Sequence, residues 1–448
     1  MIKLLIILLN ISSFLFPERG DLISFEYKEE KSHIDIQNEL DNSDAGELNP
    51  NAIYDIKLYS IVYETVDQFG ETTQASGSIA IPDNNNFAYP FYLFGHGTQI
   101  RRSSAPSMNG FNTLNMWVST SGYIFIEPDY LGLGISEMLH PYHLKDVTAS
   151  TMIDMIYASK QFCDQLETVQ YNEQLFIAGY SEGGYATMAT VKEIEENYDD
   201  IDVTMSFPMA GAYDLSGTMV DLMLSEEEYP DPFYLPFFVL SYIEKYELGS
   251  LDSFFKTEYA EGLPEWFSGD HSGGYINNFL PDIPIHIMLD EVIQEFEEDP
   301  TFAFKLRLEE NDLINWTPQN PMYLFHGILD ERVPHQNSVV AFEGLGGENN
   351  PNLYFETLDE SYGGHGEAAP WCLITAFNIS EEVKVIYERG DLNFDTSFDV
   401  LDIVIIIDRI LLNNYSEQID YWISDLNYDN LTNVFDVILL IEKILING

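Results

Sequence analysis

The chain has 448 residues, more than one typical domain, and its 45% hydrophobic and 14% aromatic content excludes an intrinsically disordered protein. It carries 75 acidic residues against 19 lysines and arginines, a formal net charge of −56. This charge argues against nucleic acid or anionic lipid as a partner, because both are themselves negatively charged.

The N-terminus resembles a secretory leader. Met1-Ile2-Lys3 precedes an apolar run over residues 4–16, which ends at Pro17. We therefore predict a signal peptide over residues 1–19 and a secreted protein, extracellular or at the cell surface. A membrane anchor is the alternative, but the run is shorter than the roughly 20 apolar residues that span a bilayer. The cleavage site itself is not defined by the sequence.

Residues 20–385 have the pattern of an α/β domain with a parallel sheet. A polar segment ends near residue 50, and alternation over residues 54–82 predicts a β-hairpin. Short apolar runs then alternate with helical stretches, which is typical of βαβ units. The predicted strands cover residues 88–94, 123–126, 175–178, 204–210, 322–325 and 353–357, and the clearest helices cover 148–165 and 185–195.

Residues 213–318 interrupt this alternation with aromatic and acidic helical segments, for example 233–246 and 285–296. We interpret them as a helical cap inserted between two strands of the sheet. Further helical scaffold is the alternative. The apolar stretch 233–242 favours a cap that faces a hydrophobic ligand.

A nucleophile motif follows the strand at 175–178. The segment 179–183 reads Gly-Tyr-Ser-Glu-Gly, with a helix predicted after it. A strand, a tight turn and a helix are the context in which a serine hydroxyl is exposed above a sheet. Ser181 is therefore the candidate nucleophile.

A serine nucleophile needs a base and an acid that orients the base, in the chain order serine, acid, histidine for this fold. Asp330 follows the strand at 322–325, and Glu331 is the competing carboxylate. Two histidines lie beyond Asp330, and His335 is too close to come from a separate loop. His365, flanked by glycines, is the candidate base and is predicted to lie in a mobile loop after the strand at 353–357.

Two backbone donors are expected to stabilise the oxyanion of the tetrahedral intermediate. One is the N–H of Glu182, which follows the serine. The other is expected from the Gly-His-Gly-Thr loop at 95–98, with Thr98 as first choice and Gly97 as second. His96 precedes the nucleophile and is interpreted as a brace for this loop.

Several motifs together resemble the secretory lipase family of α/β-hydrolases over residues 58–377. They are Glu-Pro-Asp-Tyr-Leu-Gly-Leu-Gly at 127–134, His-Pro-Tyr at 140–142, the elbow, and His-Gly-x-x-Asp-x-x-Val-Pro at 326–334. The resemblance implies the triad Ser181, Asp330 and His365, the cap, and activity on carboxylic esters that include lipids. Residues 128–134 of the first motif are expected to shape the sheet edge rather than to take part in chemistry.

The segment 390–448 contains an internal repeat of two acidic loops, each followed by an apolar helix, at 403–412 and 437–446. Oxygen side chains at positions 1, 3, 5, 9 and 12 of a twelve-residue loop are calcium ligands. The candidate ligands are Asp391, Asn393, Asp395, Asp399 and Asp402 in the first loop, and Asp425, Asn427, Asp429, Asn433 and Asp436 in the second.

Two such loops resemble a type I dockerin, a small all-α module, which implies structural Ca²⁺ and a cohesin-like protein partner. Thr396 and Asn430 stand where a turn glycine is usual. Residues 400, 401, 434 and 435 are hydrophobic where dockerins commonly carry Ser or Thr. Catalysis itself is expected to need no cofactor.

The leading hypothesis is thus a secreted carboxylic ester hydrolase, a lipase or esterase, that acts on a small-molecule or lipid ester. The alternatives are a carbohydrate esterase on a polysaccharide-degrading assembly, a peptidase of the same fold, and a calcium-dependent attachment protein with an inert hydrolase domain. Cys163 and Cys372 are either two buried thiols or a disulfide.

Overall fold

A computed structural model of the chain describes residues 18–42, 50–166, 168–415 and 418–447. The apolar run of the predicted signal peptide lies outside these ranges. Among the helices within them, none is both long enough and apolar enough to span a bilayer.

One twisted sheet of ten strands forms the centre of the molecule. Its order is β1-β2-β3-β5-β4-β6-β7-β8-β9, and β10 adds a short antiparallel pair to β4. Along this path the pairs β1-β2, β2-β3 and β3-β5 are antiparallel. The pairs that follow, from β5-β4 to β8-β9, are all parallel. The strands are β1 Leu22–Lys31, β2 Ile56–Val66, β3 Thr72–Pro82, β4 Phe87–Gly95, β5 Ile124–Pro128, β6 Gln170–Tyr180, β7 Met205–Met209, β8 Met322–Gly327, β9 Leu353–Leu358 and β10 Tyr387–Glu388.

Helices flank the sheet, form the cap and build the C-terminal region. They are α1 His33–Asp41, α2 Thr113–Thr120, α3 Lys145–Leu166, α4 Glu182–Asn197, α5 Val220–Met223, α6 Tyr234–Tyr246, α7 Thr257–Ala260, α8 Leu263–Trp266, α9 Gly273–Asn277, α10 Asp290–Glu298, α11 Ala303–Glu310, α12 Gln336–Gly344, α13 His365–Val383, α14 Val400–Leu412, α15 Gln418–Ser424 and α16 Val434–Asn447.

The parallel core of the sheet is buried on both faces. Alternate side chains of β4 enter two separate hydrophobic clusters, with Leu93 on the face of α3 and α4 and Tyr92 on the face of α2 and α13. Near-continuous apolar runs are expected of strands covered by helices on both sides. Cys163 belongs to the first cluster and Cys372 to the second, and both are free thiols. The disulfide alternative is therefore wrong.

All the predicted strands and the hairpin are present, but the sequence analysis missed two elements near the N-terminus. The polar segment before residue 50 contains β1 and α1. β1 is an edge strand with most side chains exposed, and its residues 23–28 alternate apolar and polar, a strand pattern that the sequence analysis passed over inside a polar segment. Its antiparallel pairing with β2 places it at the edge of the sheet.

The insertion between β7 and β8 is helical, as predicted, and contains α5 to α11. The helix predicted over residues 285–296 is instead broken into a 3₁₀ turn at Pro284–Ile287 and α10. The break follows from backbone pairing, because Met288 forms a β-bridge with Phe255 and the Leu289 N–H donates to the carbonyl of Phe254 (2.8 Å).

The C-terminal region has a hydrophobic cluster of its own, centred on Leu392, Ile406, Ile423 and Leu440. The described part of this region contains the helices α14, α15 and α16, of which α15 was not predicted. β10 leads into it from the sheet, and the Tyr428 hydroxyl hydrogen-bonds to the Asn86 side chain, so the region contacts the part of the chain that forms the sheet.

Candidate active site

Ser181 lies at the sharp turn between β6 and α4. Its backbone has φ 63° and ψ −122°, a conformation that a non-glycine residue rarely adopts. Its N–H donates to the carbonyl of Met209 on β7, and its carbonyl accepts the N–H of Gly184, both at 2.9 Å. These bonds hold the strained turn. The strand, turn and helix predicted around the motif are present.

Two glycines make this turn sterically possible. A Cβ atom on Gly183 would overlap the carbonyl oxygen of Gly95, and one on Gly179 would overlap the carbonyl of Gly183. The close packing brings the loop after β4 directly against the turn that carries Ser181.

Asp330 and His365 form a close polar pair. Asp330 Oδ2 lies 2.5 Å from His365 Nδ1, with the carboxylate fully buried and 9% of the histidine side chain exposed. Glu331 contacts the backbone of His365 rather than its ring: Glu331 Oε2 accepts the His365 N–H at 2.9 Å. The sequence left Asp330 and Glu331 as alternatives for the acid that orients His365. Asp330 contacts the His365 ring, and Glu331 contacts only its backbone.

His365 is the first residue of α13, so its predicted place in a mobile loop is wrong. The flanking glycines instead form the turn into the helix, with Gly363 at φ 76°. The Tyr180 hydroxyl donates to the His365 carbonyl at 2.7 Å, which places His365 beside the elbow. Within the described ranges, no hydrogen bond joins the Ser181 hydroxyl to the His365 ring. Catalytic hydrogen bonds often tighten only when substrate binds.

Asp330 is held ionised by its surroundings. Its Oδ1 accepts the N–H groups of Arg332 and Val333 at 2.9 and 2.8 Å, and its Oδ2 also lies 3.2 Å from His326 Nε2. Burial alone raises the pKa of Asp330, but hydrogen bonds from His326 and His365 and the charges of these rings outweigh it and hold the pKa well below its usual range. The sequence analysis assigned no role to His326, because its contact with Asp330 depends on how the loop at 327–333 folds back.

The predicted oxyanion residues flank the turn. Glu182 is the first residue of α4, so its N–H has no acceptor within the helix. Thr98 is half-buried in the loop after β4, and its Oγ1 lies 3.0 Å from the Tyr142 hydroxyl. The donor roles of Glu182 and of Thr98, with Gly97 as second choice, stay predictions.

A buried hydrogen-bonded cluster at Asp129 supports the same loop. Its carboxylate accepts the N–H of Ser107 at 2.8 Å and contacts the hydroxyls of Ser107 and Ser76. Its carbonyl oxygen lies 3.2 Å from His96 Nε2, while His96 Nδ1 lies 2.8 Å from the carbonyl of Gly97. His96 therefore contacts the loop as a brace would. The Asp129 carboxylate links the end of β5 to Ser76 on β3 and to Ser107.

A largely apolar pocket opens at Ser181. It has an empty volume of about 800 Å³, part of which is open to solvent. The cap supplies much of its apolar wall, through Leu215, Met219, Leu222, Met223, Leu235 and Phe238. The cap thus faces a cavity suited to a hydrophobic ligand.

A buried acid–histidine pair, whose acid is next to Ser181 in the chain, was not predicted. Glu182 Oε1 lies 2.6 Å from His140 Nε2, and His140 Nδ1 lies 2.6 Å from the carbonyl of Leu131. Glu182 and His140 are 4% and 5% exposed, so the carboxylate depends on this partner. Their positions in two recognised motifs were visible in the sequence, but their contact was not.

The two acidic loops of the C-terminal region form equivalent hydrogen bonds at matching loop positions. In the first, the Asp391 carboxylate accepts the N–H groups of loop positions 5 and 6, and Asp402 accepts those of positions 2, 3 and 9. Asp425 and Asp436 repeat this set in the second loop. The sequence repeat is therefore also a repeat of backbone conformation.

Each loop turns at position 6 without a glycine. Thr396 has φ 67° and Asn430 has φ 61°, so both adopt the left-handed conformation that calcium loops need at this point. Within the described residues, no three histidine, cysteine or acidic side chains are gathered as a metal site. The oxygen donors in each loop, asparagine amides included, are nevertheless the type that Ca²⁺ prefers.

Comparisons with known proteins show the fold. No family model and no curated protein sequence matches the chain. Among solved structures, an inferred hydrolase from Legionella pneumophila has a TM-score of 0.74 at 26% identity, covering 81% of this chain and 97% of its own. The rice cell wall degrading esterase LipA from Xanthomonas oryzae has a TM-score of 0.71 at 22% identity, covering 82% and 99%.

Candida antarctica lipase A in its closed state is more distant, with a TM-score of 0.59 at 14% identity over 81% of this chain and 83% of that protein. The chain therefore has the α/β fold of lipase- and esterase-like hydrolases. None of these similarities bears on the acidic loops.

Proposed function

We propose that the chain is a carboxylic ester hydrolase of the lipase or esterase type, with a cap and a fold similar to the secretory lipases. The observation that carries this proposal is the strained, glycine-flanked Ser181 at the mouth of an apolar pocket. His365, paired with a buried Asp330, lies beside the same turn.

In the proposed mechanism, His365 Nε2 accepts the Ser181 proton as the hydroxyl oxygen attacks the ester carbonyl. Asp330 fixes the ring through Nδ1 and stabilises the imidazolium that forms. The N–H groups of Glu182 and Thr98 stabilise the oxyanion. The imidazolium then protonates the departing alcohol, and water hydrolyses the acyl-enzyme by the same steps.

A panel of p-nitrophenyl esters from acetyl to palmitoyl, run beside a peptide p-nitroanilide and acetylated xylan, tests this function. We expect ester cleavage with kcat/KM rising from acetyl to longer chains, because the pocket wall is apolar. Peptide cleavage without ester cleavage would instead support the peptidase. Inactivity on every substrate would support the alternative of a calcium-dependent attachment protein with an inert hydrolase domain.

A carbohydrate esterase is the second candidate. It is favoured by the two acidic loops and by the fold shared with an esterase described as degrading rice cell walls. The acetylated xylan in the panel distinguishes it: release of acetate at a higher kcat/KM than any p-nitrophenyl ester would make the carbohydrate esterase the better assignment.

Secretion is part of the proposal. Arg19, which falls inside the predicted leader, pairs with the buried Asp154 at 2.8 Å. Removal of Arg19 would leave that carboxylate without its cationic partner. We therefore place the end of a cleaved leader before Arg19, rather than after it.

The C-terminal segment is proposed to be a dockerin-like module that binds two Ca²⁺ ions. The loop side chains at positions 1, 3, 5, 9 and 12 would hold each ion, which would supply structural stabilisation and no catalytic chemistry. Val400, Leu401, Val434 and Phe435 are 64%, 53%, 61% and 63% exposed. These four residues would give a cohesin-like partner an apolar contact.

Calorimetry of the full chain with calcium should show two bound ions, and Asp391→Ala should leave one. The exposed Asp408, on α14 outside both loops, provides the control, since Asp408→Ala should keep two. Calcium should raise the melting temperature, because it binds the folded loops. Chelation should change kcat on esters by less than about twofold, since neither loop contacts the catalytic residues. No heat of binding up to millimolar calcium would contradict the module assignment.

A further inference from the structure

A second histidine contacts the acid of the proposed triad. Asp330 Oδ2 lies 2.5 Å from His365 Nδ1 and 3.2 Å from His326 Nε2, so two imidazole rings meet at one carboxylate oxygen. The side chains of Asp330 and His326 are both fully buried. Because bulk water does not reach this contact, its hydrogen bonds are completed by the protein. The mechanism proposed above uses the His365 ring and leaves the His326 ring without a part.

The partners of His326 determine which ring nitrogen carries a hydrogen. Nε2 lies 2.9 Å from the carbonyl oxygen of Val333, in addition to its contact with Asp330. A carbonyl and an ionised carboxylate can only accept, so Nε2 carries the hydrogen whatever the charge of the ring. Nδ1 lies 2.7 Å from the Ser338 hydroxyl on α12, which donates to it when the ring is neutral. Each ring nitrogen of His326 thus has a partner.

Four donors hold the Asp330 carboxylate. Oδ1 accepts the N–H groups of Arg332 and Val333, and Oδ2 faces the two rings. An ionised carboxylate has about four acceptor sites, so this set fills them. Three of the donors come from residues 326–333, whereas His365 belongs to α13. The carboxylate therefore cannot turn relative to His365 without breaking a bond to its own loop.

We propose that His326 is a positioning residue for the triad, whose Nε2–H fixes the Asp330 oxygen that orients His365. This inference rests on the proposed ester hydrolase function. Because Oδ2 can only accept, the hydrogen between Asp330 and His365 is on Nδ1, which leaves His365 Nε2 free to take the Ser181 proton. Without His326, Oδ2 loses one of its two donors, and the carboxylate and the ring that it orients are less tightly fixed.

Two amide substitutions test this role because they reach different partners. His326→Gln can place a side-chain N–H near the position of Nε2, beside Asp330. His326→Asn is one methylene shorter and reaches only the position of Nδ1, beside Ser338. We expect His326→Asn to lower kcat on p-nitrophenyl butanoate about tenfold, the effect of one hydrogen bond to a charged group, with KM changed less than about twofold. His326→Gln should retain kcat within about threefold, because it keeps a donor to Asp330.

His335→Gln is the matched control. The His335 ring lies 5.5 Å from the His326 ring between centroids, but its Nε2 contacts the Thr357 hydroxyl at 2.9 Å instead of Asp330. Its kcat should stay within about twofold, as expected of a substitution that removes no bond to the triad. A melting curve of each variant establishes that it is folded.

Proton and nitrogen NMR provide a readout that altered packing alone would not change. In the wild-type chain, the hydrogen of His326 should be found on Nε2. The resonance of the His365 Nδ1 proton should move downfield in His326→Asn, because Asp330 then donates its electron density to one ring instead of two. In His326→Gln it should stay near its wild-type position.

The outcomes separate this role from the proposed function. If the wild-type chain cleaves no ester, the ester hydrolase function fails. If it is active and His326→Asn keeps wild-type kcat, or if the folded Asn and Gln variants lose kcat equally, the function stands and the positioning role is overturned. An unchanged His365 resonance in His326→Asn overturns it as well. A wild-type spectrum with the His326 hydrogen on Nδ1 alone overturns it without reference to any variant.

Discussion

Ser181→Ala is expected to lower kcat for ester hydrolysis by about 10⁶-fold, the loss that removal of a nucleophilic serine produces elsewhere. The fold should survive, because alanine occupies the same volume and the turn is held by backbone bonds to Met209 and Gly184. Steady-state kinetics on a p-nitrophenyl ester, with a melting curve of the same sample, checks both points.

Ser225→Ala is the matched control for this substitution. Ser225 also lines the pocket, yet it belongs to the cap rather than to the elbow. The variant should retain kcat within about threefold, as expected of a surface substitution away from the reacting atoms. Substantial activity in folded Ser181→Ala would show that the nucleophile lies elsewhere.

Asp330→Asn is expected to lower kcat by about 10⁴-fold, as the equivalent change does in a serine protease triad. The amide cannot stabilise the imidazolium and favours the wrong tautomer of His365. Glu331→Gln should have little effect, because a glutamine oxygen still accepts the His365 N–H that Glu331 accepts at 2.9 Å. Kinetics of both variants under identical conditions measure the difference.

The reverse ranking, with Glu331→Gln severely impaired and Asp330→Asn mild, would assign the acid to the neighbouring residue. Near wild-type activity in both would mean that the loop at 327–333 does not contribute to the triad.

Local patterns predicted the elements that position the site. Ser181 was recognisable because strand, turn and helix are each encoded by nearby residues, and the glycines around it have direct steric reasons. Chain order left Asp330 and Glu331 as alternatives. Only the fold of the loop after β8 shows that one carboxylate meets the ring of His365 and the other its backbone.

The polar pairs around the site could not be predicted, because they join residues far apart in sequence. Glu182 meets His140 across 42 positions, and neither residue type nor spacing indicates that contact. β1 was missed although residues 23–28 alternate apolar and polar, and its pairing with β2 at the sheet edge is a contact between separate segments that the sequence does not indicate. Long-range contacts of this kind are properties of the fold.

Reaction with the phosphorylating reagent p-nitrophenyl diethyl phosphate, which loses p-nitrophenolate on attack, followed by peptide mass spectrometry, tests the central claim most directly. The reagent forms a stable covalent adduct on an activated serine. A single diethylphosphoryl group on the peptide that contains Ser181, formed in step with loss of esterase activity and absent after Ser181→Ala, is the predicted result. Loss of activity with the label on any other residue would contradict the assignment of Ser181 as the nucleophile.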